Sequence, residues 1–120
     1  MLIVLWILLA LLALLFVAAG ATKLARSREA LASSGMAWTD DFSAPVVKLI
    51  ALAEVVGGFG LVLPLLTGIA PVLTPIAAIA LAVIMVGAAV VHARRKEPAV
   101  MQIVAAALCI VAAVLAFALI

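Results

Sequence analysis

One cysteine, one histidine and five acidic residues among 120 leave this chain little side-chain chemistry to work with. Cys109 sits among Leu108, Ile110 and Val111 and has no second thiol, which excludes an intrachain disulfide or a CxxC redox pair and leaves the redox compartment unconstrained. One imidazole and one thiol also fall short of an ordinary zinc, iron or haem ligand set, so no metal site is expected. No nucleophile constellation and no nucleotide-binding loop is present in the sequence, and no catalytic residue is assigned.

Charge is equally scarce. Only 10% of residues are charged, against about a quarter in soluble domains, while 72% are hydrophobic. The solvent this composition implies is the lipid bilayer. A crossing takes about 20 mostly apolar residues, so the chain has room for four spans and for no second domain. The formal charge of +2 lies beside apolar segments, where Lys and Arg orient a membrane protein, and nucleic acid is not an expected partner.

The apolar runs predict helices over about 2–21, 46–63, 75–91 and 99–120. Lys23, Arg26 and Arg28 follow the first run. A secretory signal would carry its basic residues before the apolar stretch; Ala18, Ala19 and Ala21 resemble a cleavage site, but the basic flank on the wrong side argues for a retained anchor. Residues 27–44 are mixed and polar, with a break at Ser33, Ser34 and Gly35, and are expected to lie along the membrane surface. There Met36, Trp38 and Phe42 suit the headgroup level, where Trp is enriched.

Ser43 followed by Pro45 reads as a helix start, the hydroxyl covering free amides and the ring tolerated in the first turn. Thr74 with Pro75 repeats the pattern. Pro64 is expected to end the second helix, since it cannot continue a regular one without losing a hydrogen bond. The uncharged turn 65–74 and the charged hairpin 92–98 join helices that must be antiparallel neighbours. The expected fold is therefore an all-α membrane protein, a four-transmembrane-helix up-down-up-down bundle. All seven Lys and Arg fall in or beside the first and third connections. Loops 22–45 and 92–98 are accordingly expected in the cytoplasm, with both termini outside.

Within the spans, one residue stands out. Glu54 lies six positions beyond Lys48, roughly 9 Å further along the axis, inside the hydrocarbon layer where an isolated charge costs about 2.5–3.5 kcal/mol or more. Gly57 and Gly58 share its face and admit a close neighbour. The same spacing puts Phe16, Ala19, Gly20 and Lys23 on one stripe, and Met85, Ala88, Ala89 and His92 on another. If the stripes face inward, Lys23, Glu54 and His92 form one polar cluster at the basic end. Lys48 points some 120° away from Glu54 around the helix at about 100° per residue, and is expected to snorkel to the headgroups. Trp38, Lys48, Arg94 and Arg95 read as membrane-interface anchors, and Arg94, Arg95 and Lys96 as a topology signal or anionic-lipid contact. Gln102 reads as a headgroup-level hydrogen bonder, and Asp40 and Asp41 as favouring the positive end of the second helix.

The order of these features resembles the small DoxX-like proteins. The matching stretches are Gly20-Ala-Thr-Lys-Leu24, Gly35-Met-Ala-Trp38, Val47-Lys-Leu-Ile-Ala-Leu-Ala-Glu54 and Gly57-Gly-Phe-Gly-Leu-Val-Leu-Pro64, continued by Thr67-Gly-Ile-Ala-Pro71, Leu73-Thr-Pro75, Met85-Val-Gly-Ala88 and His92. The resemblance covers nearly the whole chain. It implies a membrane subunit of the kind that accompanies sulfur, quinone or oxidative-stress redox systems, in a family most of whose members have no established activity.

Two functional readings follow. The favoured one is a non-enzymatic subunit or scaffold that meets another copy or a larger membrane complex, with Lys23 and Glu54 setting helix register. The competing one is a site where Glu54, with Lys23 and His92, binds a quinone or a lipid; it needs only an apolar slot and a few polar groups. Quinone is the one candidate cofactor. A channel or transporter fits less well, because four helices in one copy barely enclose a pore.

Overall fold

In lipid every backbone amide and carbonyl must find a partner within the protein, and long apolar stretches therefore fold as helices. The computed structural model describes residues 1–120. In chain order the elements are α1 (Leu2–Ala25), α2 (Arg28–Ser33), a 3-10 turn (Ala37–Asp41), α3 (Ala44–Thr67), α4 (Leu73–Arg94) and α5 (Val100–Leu119). At about 1.5 Å per residue the longest helices reach roughly 36 Å, and the molecule is 41 Å along its longest axis. Four of the helices are long and apolar enough to cross a membrane.

Helix α1 packs against α3 and α5, and α4 packs against the same two, so the long helices form a ring in the order α1, α3, α4, α5. Each is antiparallel to its neighbours. The protein is thus a multi-pass membrane protein with the up-down-up-down topology. Its outer faces are apolar on every helix: Leu11, Leu49, Val83 and Val114 are 61–67% exposed, a surface suited to acyl chains and not to water.

The core fills the half of the bundle remote from the basic loops. Leu5, Leu9, Leu12 and Phe16 recur at helical spacing along α1 and meet Leu61 of α3, Leu81 of α4 and the alanine face of α5, formed by Ala105, Ala112, Ala113 and Ala116 around Cys109. Because lipid tails are as apolar as leucine, these contacts stabilise by close packing and dispersion. Small residues let backbones approach: Gly58 of α3 lies against Val17 of α1, and Gly57 against Leu81 of α4.

Several helix ends differ from those expected. Helix α1 runs to Ala25, past Lys23. Helix α3 continues through Pro64 to Thr67 and ends at Gly68, whose left-handed φ of 74° closes the cap onto the Pro64 carbonyl. Pro64 removes one hydrogen bond, whereas stopping there would strand several carbonyls in lipid, so the helix goes on. Thr74 is not a cap. Helix α4 begins at Leu73, and the Ile76 amide that a capping hydroxyl on Thr74 would cover already donates to the Val72 carbonyl. The Thr74 side chain is buried and its Oγ1 has no partner. Ser43 does cap α3, its Oγ accepting from the Val46 amide at 3.4 Å.

Candidate functional site

Side chains on a helix lean toward its N-terminus. Helix α1 ends at the basic end of the bundle, so Lys23 reaches back into the interior; α3 begins at that end, so Glu54 leans out to meet it. The Lys23 Nζ donates to Glu54 Oε1 at 2.6 Å, with the two side chains 11% and 1% exposed. The second carboxylate oxygen, Oε2, is buried without a hydrogen-bond partner.

Lys48 takes a different course from the one expected of it. Its ammonium does not reach for headgroups; it donates to the carbonyls of Lys23, Leu24 and Arg26. These belong to the C-terminal end of α1, where carbonyls lack intrahelical donors and the helix dipole favours a cation. This cap is the physical reason α1 extends past residue 21 and carries Lys23 at a defined height.

The segment between α1 and α3 covers the basic end of the bundle. Ser27 caps α2, its Oγ accepting from the Ala30 amide at 3.1 Å. Thr39, fully buried, donates to the Met36 carbonyl at 2.8 Å, and Arg28 donates to the Phe42 carbonyl at 2.8 Å. Trp38 and Phe42 meet edge to face at 6.0 Å, and the Trp38 ring centroid stands 5.8 Å from the Lys23 ammonium, within the range of a cation–π contact. The three apolar residues read as interfacial, Met36, Trp38 and Phe42, all line the cavity beneath this cover.

That cavity, of about 670 Å³, lies between the long helices at the basic end, a size typical of small-molecule sites. Its walls are mostly apolar, with Ile50, Ile84, Met85 and Val91 among them, and its polar groups are Lys23, Glu54, His92 and Gln102. Leu15, halfway along α1, and Met101 line it and are also exposed, so it opens sideways toward the surrounding acyl chains. Gly87 lines it too, and a Cβ there would meet nothing within 4 Å.

Of the three residues expected to cluster, Lys23 and Glu54 are bonded directly. His92 stands on the same cavity wall, but its Nδ1 pairs with Glu97 Oε1 at 3.1 Å, five residues on in the hairpin. Arg95 bonds to Asp41 at 2.7 Å and thereby ties the end of α4 to the cover. The hydrogen bond that the Arg95 guanidinium donates to the Asp41 carboxylate raises its pKa above the ordinary value. Asp41, expected to favour the positive end of α3, thus also pairs with a side chain. Arg94 is exposed.

Gln102 is the site residue that sequence reasoning placed elsewhere. It lines the cavity, and its Oε1 is buried without a partner. Its signal was present, since it is the one polar side chain of α5 before Cys109. Gly87 carried no such signal, because a glycine in an apolar helix says nothing of what stands beside it.

The arrangement can hold a polar head against Lys23, Glu54 and Gln102 and an apolar body against the walls. The family model described as the DoxX-like family matches residues 7–116, nearly the whole chain. No curated protein and no solved structure matches it.

Proposed function

Because the chain belongs to the DoxX-like family, we propose that it is a small membrane subunit that binds an amphipathic molecule, a quinone or a lipid, between its helices and has no catalytic activity of its own. The observation that carries this reading is the cavity with a buried ion pair in its wall. A pure scaffold has no use for it. The remote half of the same bundle is filled mostly by leucine and alanine, whereas the basic half keeps about 670 Å³ open, with Gly87 among the lining residues.

The orientation belongs to the same proposal: by the distribution of Lys and Arg, the cavity end of the bundle faces the cytoplasm. An association with a redox or oxidative-stress system rests on family resemblance alone. The scaffold reading draws on the apolar outer faces, which lipid requires in either case.

Native mass spectrometry of gently extracted protein tests the choice, with wild type beside Gly87→Leu and Glu54→Gln. A small molecule that co-purifies with wild type and is lost from both variants is the expected result. A partner complex or bare oligomer, carrying no small molecule and unchanged by either substitution, would return the protein to the scaffold class.

A further inference from the structure

The Lys23–Glu54 pair is only half satisfied. Glu54 Oε1 takes the Lys23 ammonium at 2.6 Å, while Oε2, on a residue 1% exposed, has no donor. An orphaned buried acceptor is costly, more so when it belongs to a charged group. An ammonium has three donors, and a single side-chain acceptor, Glu54, engages the one on Lys23. Both residues line the cavity, so its wall holds an unpaired buried acceptor beside an ammonium with donors to spare, on a pair with no net charge.

Head groups meet this pair differently. A carboxylate or phosphate would bring a second negative charge against Oε2, and an ammonium would compete with Lys23. An ether, ketone or quinone oxygen accepts from Lys23 and leaves Oε2 empty. A hydroxyl answers both, donating its O–H to Oε2 and accepting from Nζ through its lone pairs. Across the cavity, Gln102 has a buried oxygen without a partner; its amide can turn to offer either a donor or an acceptor to a second oxygen.

We infer that the molecule held in this cavity is a neutral apolar compound with a hydroxyl head, bound through its O–H to Glu54 Oε2 and through its oxygen to Lys23. This rests on the cavity being the binding site proposed above, and it narrows the ligand from any amphiphile to a hydroxyl-bearing one.

The test uses the full chain in lipid nanodiscs, exposed to an equimolar mixture of a long-chain alcohol and its methyl ether, followed by native mass spectrometry. The two probes share chain and oxygen and differ in the O–H. Wild type is expected to retain the alcohol over the ether by about ten- to a hundredfold, the ratio set by one hydrogen bond to a charged group. In Lys23→Met/Glu54→Leu, which replaces the pair by apolar groups of similar size, a change buried pairs tolerate, the ratio is expected to fall to about one. If that variant does not accumulate, Glu54→Gln serves as the second protein, and the same fall in the ratio is expected. Equal or greater retention of the ether overturns the hydroxyl assignment and leaves the cavity reading standing, as does an alcohol preference that survives in the double variant. Retention of neither probe overturns both.

Discussion

Gly20 lies so close to Ala51 that a Cβ built on the glycine would stand 2.6 Å from the alanine's carbonyl oxygen, and 2.7 Å from Val55 Cγ2. Backbone meets backbone there, so α1 and α3 cannot absorb a methyl group by turning a side chain aside. Lys23 lies about one turn along α1 from Gly20 and Glu54 about one turn along antiparallel α3 from Ala51, on either side of this contact, which sets the spacing their side chains bridge.

Gly20→Ala is therefore expected to push α1 off α3 and destabilise the bundle by about 1–3 kcal/mol, the usual range for overpacking. Thermal unfolding in mild detergent measures it. A melting temperature equal to wild type would show that the helices do not touch at this point.

Removing one member of the ion pair leaves the other charged and buried. Glu54→Leu or Lys23→Met alone is expected to cost about 3–5 kcal/mol, and the two together much less than the sum. A double-mutant cycle on the unfolding free energy reads the coupling; additive single effects would mean that the two groups do not interact in the membrane.

Lys48→Met removes the donor that covers three carbonyls at the end of α1. The last turn of α1 is expected to fray, at a cost of about 1–2 kcal/mol for a cation at a helix C-terminus. Hydrogen exchange over residues 23–27 should accelerate while that of α5 stays unchanged. If Lys48 reached the headgroups instead, exchange at the α1 end would not respond.

The Arg95–Asp41 tie is partly exposed, with side chains 28% and 48% accessible, and such pairs weaken with salt. A cation whose pKa is raised on folding, as that of Arg95 is, contributes stability that is present below its unfolded pKa and lost only as pH rises through the folded one. Since an arginine ordinarily titrates far above neutral pH and Asp41 raises Arg95 further, this group contributes no change around neutral pH. Arg95→Gln is expected to leave the melting temperature near wild type yet raise the reactivity of a cysteine placed at Trp38, as high salt should in the parent. Equal reactivity in both proteins would show that the tie does not hold the cover.

A reporter fused after Ile120 is expected to be active outside the cytoplasm, because all seven Lys and Arg flank the opposite end of the bundle. Activity only inside would invert the orientation and place the cavity at the outer face.

Much of this protein follows from its sequence alone. The span count, the antiparallel order and the Ser43 cap are consequences of local composition, because lipid demands helices of a fixed length and leaves the chain few other choices. Glu54 was conspicuous for the same reason, as a carboxylate in hydrocarbon is costly wherever it points. Tertiary structure decided what each polar group met. Lys48 found the carbonyls at the end of α1, His92 found Glu97 before Glu54, and Trp38 with Phe42 folded over a cavity. Pro64 stayed helical because ending α3 there would strand carbonyls in lipid. The cavity is a property of several neighbouring helices, and no single stretch of chain records where its neighbours stop short.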